Sequence, residues 1–208
     1  MMNLGVVLPE PGYLEAVREI TRKHGVVLIF DEVKTGLCIA AGGAVERFGV
    51  MPDMVTLAKA LGGGLPIGAL VTSADLAFGP GEHASTFGGG PIVCAGALAV
   101  LDVIETEGLL ARADAIGDLL SRTVRDAADD ALVTDLRGRG CLWGIQLDRP
   151  AHDVALAMLE AGVLVSIAGP DVVRMSPPLV ATDDEILHAS ATFVDALRRV
   201  AQRQGSPV

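Results

Sequence analysis

The 208-residue sequence predicts an α/β layer over residues 1–129 followed by a smaller α+β domain over residues 130–208. Three observations carry this. Helical and strand patterns alternate in the first part. Apolar residues make up 50% of the chain and aromatic residues only 3%, so a core must be built from Ala, Val, Leu and Ile. That favours helices packed on a sheet over an aromatic-rich β-sandwich. Beyond Asp129 short strands and helices mix without the earlier alternation, as in an α+β domain.

Pro11-Gly12 precedes a helix over residues 13–24, with Leu14, Val17 and Ile20 at helical spacing on one face and Gly25 as its stop. Residues 26–30 form a continuous apolar run, which suits a strand buried on both faces. Pro52-Asp53 opens a short apolar segment over 54–58, the Gly62-Gly63-Gly64 turn follows, and 67–72 reads as a strand. Residues 91–107 and 109–129 read as two Ala/Leu-rich helices joined at Gly108, with acids and arginines on the outer face. Strands are expected over 132–136 and 141–147, split by Arg137-Gly138-Arg139-Gly140. A helix over 151–160 and strands over 163–166 and 172–175 come next. Thr182, with Glu185 three residues on, forms a capping box that opens a last amphipathic helix to about Arg203; residues 204–208 should fray.

The formal net charge of −10 argues against nucleic acid or an anionic membrane as a partner. Cys38, Cys94 and Cys141 are odd in number and lack metal-ligand spacing, so reduced thiols in a cytoplasmic protein, and no metal site, are expected. The N-terminus lacks the signature of a signal peptide, and the longest apolar stretch, 91–101, is too short to span a bilayer.

Only three of the 16 basic residues are lysine: Lys23, Lys34 and Lys59. Lys59 stands in Leu57-Ala58-Lys59-Ala60-Leu61-Gly62-Gly63-Gly64-Leu65-Pro66. A desolvated lysine can form a Schiff base, which an arginine cannot; alone, the residue reads as a charge at a helix C-terminus. Asp31, at the end of the apolar strand, suits the acid that keeps a pyridinium nitrogen protonated, or is a solvated strand-end carboxylate. Ser85-Thr86-Phe87-Gly88-Gly89-Gly90 offers hydroxyls and backbone N–H groups to a phosphate, or is an ordinary helix-entry loop.

Leu28-Ile29-Phe30-Asp31-Glu32-Val33-Lys34-Thr35-Gly36, then Pro52-Asp53 through Lys59 to Pro66, then Ser85-Thr86-Phe87-Gly88-Gly89 resemble, in order and spacing, the class III pyridoxal-phosphate aminotransferases. Arg137-Gly138-Arg139-Gly140 and Val173-Arg174-Met175-Ser176-Pro177-Pro178-Leu179 resemble that family's C-terminal domain. The resemblance implies the C-terminal part of a fold type I large domain followed by the small domain. It implies pyridoxal phosphate as cofactor and transfer of an amino group between an amine or amino acid and an oxo acid. Lys59 matches the Schiff-base lysine, Asp31 the acid on the pyridine nitrogen, and Val33 a residue against the ring. Thr86, with Ser85, matches the segment that reaches the phosphate of the neighbouring subunit's cofactor, which implies a homodimer. Arg174 matches an arginine that several members use for a substrate carboxylate.

Two positions depart from the pattern. Lys34 stands where many members have a Gln on the cofactor's ring oxygen, and Asn3 where ornithine- and acetylornithine-type members carry a glutamate near the substrate. Residues 1–14 and Gly42-Gly43-Ala44 look like the glutamate-1-semialdehyde aminomutase side of the family, and residues 85–110 like the acetylornithine side. The opening Met1-Met2-Asn3-Leu4-Gly5-Val6-Val7-Leu8-Pro9 reads like the middle of a domain. The resemblance therefore implies a C-terminal half, a split half or a non-catalytic remnant, because the family's Gly-rich phosphate turn and ring-stacking aromatic have no match in it.

Overall fold

A computed structural model of the chain describes residues 1–40, 42–86, 88–128, 132–203 and 205. The expected frayed end at 204–208, Gly205 apart, and the expected helix end at Asp129 lie outside them. The chain divides into two units, one spanning Pro9–Ala111 and the other Met1–Leu8 together with Arg112–Val208.

The Pro9–Ala111 unit starts with α1 (Tyr13–Lys23). Gly25 ends it in a left-handed conformation, with Val26 N–H donating to Thr21 O at 2.9 Å and Gly25 N–H to Arg22 O at 3.3 Å. This is the Schellman pairing that satisfies the last helical carbonyls. Leu14 and Val17 are half-buried as their spacing predicts, but Ile20 is exposed and the buried residue is Arg18. Its guanidinium lies 2.9 Å from Asp53 Oδ2, and the same oxygen accepts the Leu28 N–H at 2.7 Å.

Strands β1 (Ile29–Asp31), β2 (Met54–Leu57) and β3 (Ala69–Thr72) form a sheet in the order β1-β2-β3, β1 parallel and β3 antiparallel to β2. The expected strand burial on both faces is not observed. Val26, Val27 and Ile29 are exposed, because the sheet has no layer of described residues covering them. A short helix, α2 (Gly43–Phe48), follows the β1 loop; no helix is expected there from the sequence. Helix α3 (Pro91–Thr106) closes the unit, burying Ala97 and Ile104 on one side. Gly108, at φ +61°, turns the chain into α4 (Leu109–Ala127).

The second unit holds the hydrophobic core. Strands β4 (Val133–Arg139), β5 (Leu142–Leu147), β6 (Ser166–Ala168) and β7 (Val172–Met175) form an antiparallel sheet in the order β4-β5-β7-β6. Its inner face, with Trp143, Ile145, Leu147 and Val173, packs against α4, α5 (Ala151–Glu160) and α6 (Asp183–Arg203). Helix α6 is capped as predicted: Thr182 N–H donates to Glu185 Oε2 at 2.8 Å and Glu185 N–H to Thr182 Oγ1 at 3.3 Å. Two expectations are corrected. The strand expected over 163–166 lies instead at Ser166–Ala168. Arg137, Gly138 and Arg139 lie within β4 rather than in a break between strands. Gly138 pairs with Trp143, and a Cβ on it would lie 2.7 Å from the indole Cγ, so this glycine makes room for a ring.

Candidate active site

Lys59 follows the end of β2. Ala58 is extended, and Lys59 opens a 3-10 turn, Lys59–Gly62, with its side chain exposed. Its backbone is left-handed at φ +48°, a conformation that costs an L-residue with a side chain about 1–2 kcal/mol. The turn is backed by α3. A Cβ on Gly63 would lie 2.7 Å from Val100 Cγ2, and one on Gly96 2.6 Å from Leu65 Cδ1. Glycine at both positions lets helix and turn meet closely enough to fix the lysine's backbone.

Asp31 ends β1 and is exposed, in register with Thr56 of the neighbouring parallel strand. Its Oδ1 accepts the Val33 N–H at 3.0 Å and the Thr56 hydroxyl at 3.3 Å, which fixes the carboxylate plane. Lys59 is the third residue after Thr56. An acid and an amine thus follow the carboxyl ends of two adjacent parallel strands, the edge at which open α/β sheets bind ligands.

Glu32, next to Asp31, is 2% exposed. Its Oε1 accepts the Val45 N–H at 2.9 Å, its Oε2 accepts the Thr35 hydroxyl, and its backbone N–H donates to Thr56 O at 3.0 Å. Gly43, at φ +61°, passes so close to this carboxylate that a Cβ would overlap it. Glu32 therefore ties the loop after Asp31 to the start of α2. Neither Glu32 nor Thr56 is singled out as a site residue by the sequence. The paired acids in Asp31-Glu32 were the available signal for Glu32, whereas Thr56 emerges only from strand register.

Val33 and Lys34 are half-buried on the same loop. Burial pushes the Cys38 thiol up, and the Lys34 ammonium opposes the shift, which places that charge beside the loop's end. Ser85 and Thr86 are exposed; Ser85 Oγ accepts the Gly88 N–H at 2.9 Å, and the segment runs through Gly90 into Pro91 at the start of α3. Phe87 lies outside the described residues.

Arg174 and Asn3 belong to the other unit and meet there. Arg174, on β7, donates through Nη1 to Met2 O at 3.3 Å and to Asn3 Oδ1 at 3.4 Å; its buried Nε has no partner among the described residues. The first unit thus carries Asp31, Val33, Lys34, Lys59, Ser85 and Thr86, and the second the Asn3–Arg174 pair. The donors of the first unit suit an aldehyde cofactor with a basic ring nitrogen and an anionic group: an amine, a fixed carboxylate, and a loop of hydroxyls and amides. Among the described residues no group of His, Cys, Asp and Glu could hold a metal ion, and no helix is long and apolar enough to cross a membrane.

The family model described as aminotransferase class-III matches residues 2–197. Acetylornithine aminotransferase of Mycobacterium leprae is 46% identical over 201 residues, 95% of this chain and 48% of that protein. Among solved structures, an ornithine aminotransferase from Toxoplasma gondii, with partial occupancy of PLP at its active site, superposes with a TM-score of 0.89 at 34% identity. The match covers 97% of this chain and 50% of that one. Acetylornithine aminotransferase from Elizabethkingia anophelis gives a TM-score of 0.84 at 32% identity, covering 95% of this chain and 54% of that one. The chain spans about half the length of the curated relatives it matches. These relatives carry transaminase names, so the aminomutase alternative expected from residues 1–14 is not favoured.

Proposed function

The chain belongs to the aminotransferase class-III family, and from that premise we propose that it is the lysine-bearing portion of a pyridoxal-phosphate transaminase of acetylornithine or ornithine type. The observation that carries the reading is the placement of Asp31 and Lys59 after the ends of adjacent parallel strands, with Asp31 locked to Thr56. Bound there, the cofactor supplies an electron sink for the substrate's α-carbon. Asp31 holds the proton on its ring nitrogen. Lys59 anchors it through Nζ and moves a proton at the substrate α-carbon. Val33 lies against the ring, and the Lys34 ammonium takes the ring-oxygen contact.

Ser85 and Thr86 reach the phosphate of a second subunit's cofactor, which makes the working unit a homodimer. Arg174, with Asn3 beside it, receives the carboxylate of an amino acid donor or of an oxo-acid acceptor. Asn3 leaves the arginine without a carboxylate partner on this contact, so the positive charge stays available for substrate.

Borohydride reduction of the chain with pyridoxal phosphate, followed by peptide mapping, tests the assignment. The expected product carries the label on Lys59. A label confined to Lys23 or Lys34, or no label, rejects it.

A further inference from the structure

The sheet of the second unit aligns one residue from each strand: Arg137 pairs with Gly144, Gly144 with Arg174, and Arg174 with Ser166. Directly paired residues share a face. This face is opposite the core, because the alternate positions Trp143, Ile145, Val173 and Met175 are in the core cluster. Two guanidinium groups therefore flank a glycine.

The Met1–Leu8 segment belongs to this unit and crosses the row. A Cβ on Gly144 would lie 2.5 Å from Gly5 O, so the carbonyl sits where any larger residue would push it away. Arg137 Nε donates to that oxygen at 2.9 Å. Arg137 is itself fixed, its Nη1 donating to Asp135 Oδ2 at 2.6 Å and to Gln146 Oε1 at 2.8 Å. Gly5 is left-handed at φ +99°, and a Cβ on it would come 3.0 Å from Arg137 Nη2. Earlier in the same segment, Met2 O and Asn3 Oδ1 accept from Arg174 Nη1. Each Nη1 hydrogen then has an acceptor, and a planar guanidinium held at one nitrogen is oriented as a whole.

We propose that Arg137 is a positioning residue for Arg174. Through the Gly5 carbonyl seated on Gly144, it anchors the Met1–Leu8 segment, whose Met2 and Asn3 oxygens orient the Arg174 fork toward a substrate carboxylate. The proposal rests on the reading of Arg174 as the carboxylate-binding arginine. Asp135 compensates the charge of Arg137, so its action is geometric rather than a matter of field. None of the family motifs that mark the cofactor site includes Gly5 or Gly144.

The test uses the whole chain, 15N-labelled and titrated with glutarate, with the Arg174 Nε–H resonance as reporter. Hydrogen exchange is read at the Val6 and Val7 amides, which bond within the segment, and at Ile145 and Val173 in the core sheet. R137Q and G144A should each weaken glutarate binding about three- to tenfold, the cost of ordering one long side chain. Both should speed exchange at Val6 and Val7 and leave Ile145 and Val173 protected. G144A removes no charge and no donor, so it separates anchoring from electrostatics. R137K, which keeps one N–H for the Gly5 carbonyl, should recover part of the affinity. Unchanged glutarate affinity in R137Q and G144A, or unchanged exchange at Val6 and Val7, overturns the positioning role alone. Glutarate binding that survives R174Q, or its absence in the unaltered chain, overturns the carboxylate reading and the positioning role with it.

Discussion

The Thr56 hydroxyl donates to Asp31 Oδ1 at 3.3 Å across two parallel strands, at a position where the two residues are also register partners. The bond links the acid to the strand that leads into Lys59. Together with the Val33 N–H, which donates to the same oxygen at 3.0 Å, it orients the carboxylate at an exposed strand end.

Thr56→Val should therefore loosen the cofactor site without unfolding the sheet. A hydrogen bond to a charged group contributes about 1.5–3 kcal/mol when fully formed, and this one is long and partly solvated. Pyridoxal-phosphate retention is expected to fall about threefold to tenfold, read as the fraction of Lys59 labelled by borohydride at fixed cofactor concentration. Equal labelling of Thr56→Val and the unaltered chain would show that Val33 N–H alone orients Asp31.

Gly43→Ala is a harsher change at a site with no direct contact to Asp31. The new methyl group would overlap the Glu32 carboxylate and sit on a left-handed backbone. The cost should be at least about 2 kcal/mol, seen as a lowered urea midpoint. Loss of Lys59 labelling in parallel is expected, since Glu32 holds the loop that carries Asp31. A variant as stable as the parent would mean that the Glu32 side chain is free to leave its pocket.

Acid should detach α1 early. The Leu28 N–H, and after it the Arg18 guanidinium, hold the Asp53 carboxyl below the usual carboxylate range. A depressed carboxyl stabilises the folded state above its unfolded value and loses that contribution as pH falls through the folded one. The α1 contact should thus persist at pH 5 and weaken below about pH 4. Exchange of the Leu28 amide, measured between pH 5 and pH 2.5 and corrected for intrinsic rates, should accelerate over that window. Asp53→Asn should make the acceleration disappear; a variant that keeps it would assign the transition to another group.

Much of the fold was legible because local rules govern it. The Thr182–Glu185 box, α5 and β7 follow from capping and periodicity, and all three sit where the sequence puts them. β4 runs further than the sequence predicts because Arg137-Gly138-Arg139 has the composition of a turn, whereas the glycine answers to Trp143 on the next strand. The apolar run before Asp31 signals a buried strand, but burial depends on layers that neighbouring residues in the sequence do not supply. At the site, Lys59 and Asp31 stood out by residue type. Glu32 did not, since nothing in a pair of acids says which one turns inward. Arg137 was visible only as part of a motif, and its bond to Gly5 spans a separation that no local pattern encodes.

The left-handed backbone at Lys59 sets two demands against each other. Glycine is the residue that relaxes such a turn, and glycine has no amine. A position selected for the comfort of the chain would carry Gly, as Gly63 and Gly64 do immediately downstream. A position filled merely to place a positive charge after a strand would be served as well by a neighbour with ordinary dihedral angles. Lysine at this one spot is explained by neither; on the proposed reading, the strained main chain is tolerated because the turn holds the amine just past the end of β2.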